Sequence, residues 1–217
     1  VSLPDADRVK AALAQCPFVV VSEVEAATDT LRFAHVALPA LAWGEKDGTV
    51  TNSERRVSRQ RAFLHAPGEA RADWRQIAEV AKRMGHSTAF SYAGPHAVLD
   101  DYARLTEAAA ALGPIDLDLT DFIGLDRDRY DRLEPVQWPA RAKGPSGGRF
   151  FAEGGFFTPD RKARMIAIRP TPATLDDETF TLNTGRIRDQ WHTMTRTGAV
   201  PRLMANAPEP ALELSPA

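Results

Sequence analysis

Val9 and Leu13 stand four residues apart among alanines, which places both on one face of a short amphipathic helix. The helix must end near Cys16-Pro17, because the residue before a proline is pushed out of the helical region. The apolar run Phe18-Val19-Val20-Val21 that follows has the length and branching of a buried parallel strand reaching Ser22. Thr28-Asp29-Thr30 can cap a short helix through Ala34, and Val36-Ala37-Leu38 makes a second strand before Pro39. Strand, helix, strand with tight links predicts a parallel sheet.

From Gly44 to Arg59 the apolar period fades and Asp47-Gly48 supplies a turn signal, so an ordered loop and short hairpin are expected. Trp74, Ile77, Ala81 and Met84 mark a helix from Asp73 to Met84, closed by Gly85. A second long helix runs from Pro95 to Leu112, with Val98, Tyr102, Leu105 and Ala109 on one side, an alanine run suited to close packing, and a stop at Gly113-Pro114. Asp116 to Tyr130 alternates acids with apolar residues and reads as short helices and loops. Lys143 to Gly148 resembles a linker. Phe150-Phe151 and Phe156-Phe157 around Gly154-Gly155 predict a β-hairpin, Met165 to Ile168 a strand, and Phe180 to Leu182 the start of a C-terminal unit.

With 217 residues and 43% hydrophobic content the chain can bury a core. Its 27 basic and 29 acidic residues leave a net charge of −2, so there is no broad positive field for nucleic acid and any basic site must be local. No apolar run approaches the roughly 20 residues that span a bilayer, and no signal peptide opens the chain; a soluble, cytoplasmic protein without a membrane or nucleic-acid partner is expected. Cys16 is the only cysteine, which rules out an internal disulfide and a four-cysteine metal site within these residues; it reads as a small buried hydrophobe. The start at Val1 and the stop at Ser215-Pro216-Ala217 suggest a piece of a longer polypeptide.

Two places carry chemistry. Thr184 to Gly198 packs hydroxyls, guanidiniums, an imidazole and an indole into one run, a donor density that suits a large, anionic, heteroaromatic ligand. Gly185 would let backbone approach such a ligand closely; a polar surface turn leading into a helix is the competing reading. Ser22 and Glu23 end the first strand, where ligands of open α/β sheets bind, and a carboxylate there can accept two N–H groups. The scattered His35, His65, His86 and His96 lack metal-ligand spacing.

The run TGRIRDQWHTMTRTG resembles the pterin-binding segment that opens the C-terminal domain of molybdopterin-dinucleotide oxidoreductases related to dimethyl sulfoxide reductase, in the form seen in assimilatory nitrate reductases. Leu38-Pro39-Ala40 followed by Trp43 to Arg56 resembles the same family's LPA…EKxGTxxNxERR signature, and Leu133 to Pro139 with Phe156-Phe157-Thr158-Pro159 resembles its nitrate-reducing branch. The resemblance implies an α/β fold. Residues 1–142 would be part of a Rossmann-like, parallel-sheet cofactor domain, 143–178 a linker and hairpin, and 179–217 the beginning of a C-terminal β-barrel. It implies a molybdenum bis(molybdopterin guanine dinucleotide) cofactor, nitrate as the parent's substrate, and an electron-donor protein or domain. A 4Fe-4S cluster would belong to the parent, outside this C-terminal-half fragment, which would hold neither catalytic nor metal-binding residues and would be inactive alone.

Residue by residue, the resemblance sets Glu23, with Ser22, against the guanine edge, and Lys46 near the dinucleotide. Asp73 is either a nucleotide contact or a helix N-cap. Arg186 and Arg188 suit the pyrophosphate, Trp191 and His192 the pterin, and Thr184, Gly185, Gln190 and Thr193 its surroundings. Glu54-Arg55-Arg56 reads as an ion-pair device holding its loop, with direct ligand contact as the alternative. The late run and Glu23 would converge on one pocket. Formate dehydrogenases and periplasmic nitrate reductases share the scaffold and are the alternatives within the family, and a non-catalytic pterin-binding or assembly module is the alternative outside catalysis.

Overall fold

The computed structural model describes residues 3–113, 115–170 and 180–214. Two compact units divide them: the described residues of Val1–Val19, Ala27–His35 and Ala167–Ala217 form one, and Val20–Ala26 with Val36–Ile166 form the other.

In the larger unit β1 (Val20–Glu23) and β2 (Val36–Pro39) pair in parallel, Ser22 facing Leu38 and Glu23 facing Pro39 in register. The parallel pairing matches expectation, but the strand begins two residues late and is not buried: Phe18 is 63% exposed and Val20 48%. A ladder of two strands leaves most of each strand's faces open, so a branched run reports strand propensity here and not burial. A bridge between Ala40 and Arg71 extends the β2 end of this ladder.

β3 (Gly48–Thr51) and β4 (Arg56–Gln60) form the expected hairpin, and β5 (Val136–Gln137) adds antiparallel to β4. The turn lies elsewhere than foreseen. Asp47-Gly48 opens the first strand, and the reversal occurs at Asn52 to Arg55, where Asn52 Oδ1 accepts the N–H groups of Glu54 and Arg56, both at 3.0 Å. The Asn side chain supplies the turn bonds, and Arg55 takes the left-handed conformation at φ 66°.

Helix α2 (Asp73–Arg83) ends as predicted. Gly85, at φ 95°, donates to the Lys82 carbonyl at 3.1 Å and His86 to that of Ala81 at 3.0 Å, the paired bonds of a Schellman motif. Its buried positions are Ala78 and Ala81, while Ile77, Val80 and Met84 are exposed. Helix α3 (Pro95–Ala110) buries Leu99, Ala103 and Thr106 in place of the stripe through Val98, Tyr102, Leu105 and Ala109. Thr106 can sit inside because its hydroxyl donates to the Ala103 carbonyl at 2.7 Å and accepts the Leu119 N–H at 3.1 Å. The close-packed alanine is Ala103, fully buried, whereas the run Ala108 to Ala111 stays at the surface or half-buried.

The core gathers Val57, Leu99, Ala103, Leu119, Phe122, Leu125, Tyr130 and Ala140. Half of these come from the stretch read only as short helices and loops, which forms a 3-10 turn at Thr120–Phe122 and helix α4 (Arg127–Asp131), capped by Asp126 Oδ1 accepting the Arg129 N–H at 2.7 Å. Phe150 to Phe157 makes no hairpin. Gly154 and Gly155 both take positive φ and fold the segment back so that Phe151 stacks on Phe156 at 4.4 Å between ring centroids, and no strand ladder forms.

In the smaller unit α1 (Ala6–Gln15) leaves Val9 and Leu13 as its two half-buried apolar residues, as their spacing predicts. Cys16, expected to be buried, is exposed just beyond the helix. Thr28 Oγ1 accepts the Leu31 N–H at 3.4 Å, and the helix it caps is one 3-10 turn, Leu31–Phe33. Val19 and His35 exchange two bonds: the Val19 N–H donates to His35 Nδ1 at 3.0 Å and the His35 N–H to the Val19 carbonyl at 2.8 Å, a structural use of that histidine.

The expected strand at Met165 to Ile168, which spans the division between the units, is irregular, with those three large side chains more than four-fifths exposed. Phe180 to Leu182 is likewise without regular structure. The expected barrel strands are therefore absent among the described residues; without a pairing strand an apolar run has no ladder to join. Short turns lead to α5 (Pro201–Met204).

Candidate functional site

Ser22 and Glu23 occupy the carboxyl end of a parallel strand, the position from which an open sheet presents residues to a ligand. The Glu23 carbonyl accepts the Ala40 N–H at 3.0 Å; Arg71 donates to the Pro39 carbonyl at 3.0 Å, and Leu41 to the Arg71 carbonyl at 3.3 Å. Asp73 follows two residues after Arg71, and its Oδ2 pairs with Lys46 Nζ at 2.6 Å. Backbone bonds thus connect Ser22 and Glu23 to the segment that leads into Asp73, and Lys46 joins them through its ion pair. The helix N-cap reading of Asp73 is corrected: Ala72 occupies the cap, and Asp73 is the first helical residue, its carboxylate turned to lysine.

The loop bearing Lys46 is held from both sides. Upstream, Glu45 Oε2 accepts the Ala42 N–H at 2.7 Å. Downstream, Arg59, whose side chain is 3% exposed, donates to Asp47 Oδ1 at 2.5 Å and to the Gly48 carbonyl at 2.9 Å. Burial works against the Arg59 charge, but the hydrogen bonds and charges of Asp47 and Asp131 outweigh it and hold the guanidinium above its ordinary pKa. Nothing in the local sequence marks Arg59, since its partners include Tyr130 and Asp131, more than 70 positions away.

Arg59 lies 4.0 Å above the Tyr130 ring, and the Tyr130 hydroxyl is buried without a hydrogen-bond partner. Burial first pushes the Tyr130 phenol up to about 12, and a hydrogen bond to Asp101 does the same for Tyr92. Both shifts favour the neutral phenol in the folded state. Their stabilisation is complete below the unfolded value of 10.0 and is lost as pH rises through about 12. Tyr130→Phe keeps the ring under Arg59 and removes the orphaned hydroxyl. It is expected to gain on the order of 1 kcal/mol at pH 7 and to flatten the fall in thermal midpoint above pH 10, both measurable by calorimetry. A loss of 1 kcal/mol or more at pH 7 would show that the hydroxyl has a partner.

Glu54, Arg55 and Arg56 act within the protein, as expected. Glu54 and Arg56 make an exposed pair at 3.8 Å, while Arg55 spans to Trp138 and Gly148.

In the smaller unit the late run folds into consecutive turns. Gln190 donates its N–H to the Ile187 carbonyl at 3.2 Å, and Met194 to that of Trp191 at 2.9 Å, with His192 at φ 45° and Met194 at φ 61°. The turns enclose a groove of about 580 Å³ lined by Thr184, Gly185, Arg186, Gln190, Trp191, His192 and Thr193, together with Ile187 and Met194, which the sequence reading did not single out. The indole and imidazole stand edge-to-face at 4.6 Å. The run is a series of turns that leads through a 3-10 turn, Thr197–Ala199, into α5, as the competing reading has it, and the same turns line the groove. A Cβ on Gly185 would meet nothing within 4 Å, so no neighbouring atom requires glycine at this position. Arg188 is not in the lining; its side chain is 91% exposed beside Asp189.

The donors facing this groove, one guanidinium, an imidazole, two threonine hydroxyls and an amide, suit an anionic ligand with ring heteroatoms, and the indole face suits its ring. Among the described residues no three His, Cys, Asp or Glu side chains come together to hold a metal ion, and no helix is long and apolar enough to cross a membrane.

A parallel strand end with a charged framework, and a donor-lined groove, are the two candidate sites of this mixed α/β chain. Residues 1–83 match the family model described as "Molybdopterin oxidoreductase". Over its whole length the chain is similar to proteins named nitrate reductase. It is 50% identical to that of Klebsiella oxytoca, covering 100% of this chain and 25% of the relative. It is 44% identical to that of Shewanella frigidimarina, covering 99% and 24%. The F420-dependent formate dehydrogenase subunit alpha of Methanocaldococcus jannaschii is 31% identical, over 100% of this chain and 30% of its own length. The chain thus spans about a quarter of the nitrate reductases it matches.

Proposed function

We propose that this chain is a cofactor-holding portion of a longer, cytoplasmic molybdenum oxidoreductase that reduces nitrate to nitrite. The observation that carries the reading is similarity along the whole chain, at 50% identity, to a protein named nitrate reductase, against 31% for the formate dehydrogenase subunit. When bound, a molybdenum bis(molybdopterin guanine dinucleotide) supplies the two-electron chemistry that removes oxygen from nitrate. An electron-donor protein or domain and a 4Fe-4S cluster elsewhere in the parent complete the electron path.

This chain's share is binding and orientation. Glu23, with Ser22, accepts the N–H groups of the guanine edge; Lys46 faces phosphate or ribose oxygens, with Asp73 beside it. Thr184, Gly185, Arg186, Gln190, Trp191, His192 and Thr193 enclose the pterin, and Arg188, exposed, reaches the pyrophosphate. The donor chemistry of the groove and the strand-end position of Glu23 support this assignment.

Given nitrate and reduced methyl viologen, the 217-residue chain is expected to form no nitrite, whereas the product of its full reading frame, purified from molybdenum-replete cells, does. Nitrite from the 217-residue chain would refute the assignment of catalysis to the rest of the parent. A full-frame product that oxidises formate and leaves nitrate untouched would move the protein to the formate branch.

A further inference from the structure

We infer that Arg59 is a positioning residue for Lys46, holding the loop that presents its ammonium to the nucleotide end of the cofactor. This rests on the role of Lys46 proposed above and adds a residue that touches no ligand.

Arg59 sits on β4, opposite Thr49 in the hairpin register, with its guanidinium turned inward. Five bonds leave it. Nη1 donates to Asp47 Oδ1 and to the carbonyls of Gly48 and Gln60, Nε to the Tyr130 carbonyl at 3.1 Å, and Nη2 to Asp131 Oδ1 at 3.1 Å. Two of these acceptors are the residues immediately following Lys46, and two belong to the end of α4, where Tyr130 is part of the core. Arg59 therefore ties the Lys46 loop to the best-packed part of its unit. The loop's upstream fastenings are the Glu45 carboxylate on the Ala42 N–H, Gln60 Nε2 on the Trp43 carbonyl at 2.9 Å, and the Phe63 and Leu64 N–H groups on the Gly44 carbonyl at 2.9 Å; none of them reaches the core residues around Tyr130.

The number and directions of the bonds matter more than the charge. A guanidinium has five N–H donors in one plane, the two on Nη1 shared among three acceptors, while an ammonium has three donors and no plane to lay on the Tyr130 ring. Arg59→Lys preserves the charge and releases the loop. Asp47→Ala cuts the link nearest Lys46; the Asp47 side chain is half exposed, so the fold tolerates the change.

Guanosine diphosphate, as a probe for the nucleotide end, is titrated into the chain by calorimetry, with thermal midpoints measured in parallel. Lys46→Ala is expected to weaken binding about tenfold, the loss of one charge-assisted contact. Arg59→Lys and Asp47→Ala should each weaken it roughly 3- to 10-fold, but less than twofold further in the Lys46→Ala background, because a residue acting through Lys46 has nothing left to position. If Arg59→Lys fails to fold, Asp47→Ala decides alone.

Equal losses with and without Lys46 would overturn the inference, since a general effect of stability does not depend on that side chain. Wild-type affinity in both loop variants, with Lys46→Ala still weakened, would also overturn it while leaving the cofactor reading of Lys46 intact. If the parent chain does not bind guanosine diphosphate, or Lys46→Ala binds it unchanged, the reading of Lys46 fails and the positioning role with it.

Discussion

Phe122→Ala is expected to destabilise the protein by about 3–5 kcal/mol, seen as a fall in the urea midpoint with an unchanged slope. Phe122 is fully buried, among Val57, Leu99, Ala103, Leu119, Leu125, Tyr130 and Ala140. Its backbone cannot follow a shrinking side chain, because both flanks are tied down. The Asp121 N–H donates to the Ala140 carbonyl at 2.9 Å, and the Leu125 N–H to that of Phe122 at 3.2 Å. A cavity therefore remains, and the loss of contacts adds to the lost transfer energy. Phe122→Leu should cost less, because most of the volume stays filled. Leu112, 92% exposed at the end of α3, is the control; its truncation should stay within about 0.5 kcal/mol. Equal costs at Phe122 and Leu112 would mean that the core lies elsewhere.

That core was the least legible part of the sequence. Leu119, Phe122, Leu125 and Tyr130 follow neither a helical nor an alternating period, since a 3-10 turn, a loop and a five-residue helix each deliver one or two of them. Periodicity detects long regular elements, and α2 and α3 were found because their spacing, the proline at the start of α3 and the Gly85 cap are local signals. Which face of α3 is buried is not local. A count of large apolar residues favours Tyr102 and Leu105. The packed face instead uses Leu99, the small Ala103 and a threonine whose hydroxyl is satisfied within the core.

The candidate site divides in the same way. The family resemblance singled out Lys46 and Asp73 as cofactor candidates, and local sequence added only a turn for the one and a helix start for the other. Their 2.6 Å ion pair, across 27 positions, depends on the Ala40–Arg71 bridge, which no pattern announces. Arg59 was overlooked because a charged residue on a strand ordinarily faces solvent, and only distant acceptors make its burial tolerable. The aromatic hairpin failed for a related reason. Paired phenylalanines around two glycines fit a hairpin and a glycine fold equally well, and the positive φ of both glycines selects the fold.

Arg55→Ala is expected to cost about 2–4 kcal/mol, through contacts that the motif only hinted at. The guanidinium carbon lies 3.8 Å from the Phe150 ring centroid and 5.3 Å from that of Trp138. Nη1 donates to the Trp138 carbonyl at 2.6 Å, Nη2 to the Gly148 carbonyl, and the Trp138 N–H returns to the Arg55 carbonyl at 2.9 Å. Charged hydrogen bonds contribute about 1.5–3 kcal/mol and a cation over an aromatic face about 0.5–2, with partial exposure drawing the sum toward the lower end. Backbone strain does not enter the comparison: Arg55 is at φ 66°, and alanine carries the same Cβ, so its cost is common to both proteins. Arg55→Lys should recover less than half, because one ammonium cannot bond two carbonyls and also lie flat on a ring. Because Trp138 loses a cation at its face, its fluorescence and near-ultraviolet dichroism should change along with the thermal midpoint. A midpoint and tryptophan spectrum both unaltered in Arg55→Ala would mean that Gln137, which donates to the Glu54 carbonyl at 2.9 Å and accepts the Gly148 N–H at 3.0 Å, holds this junction without help from the arginine.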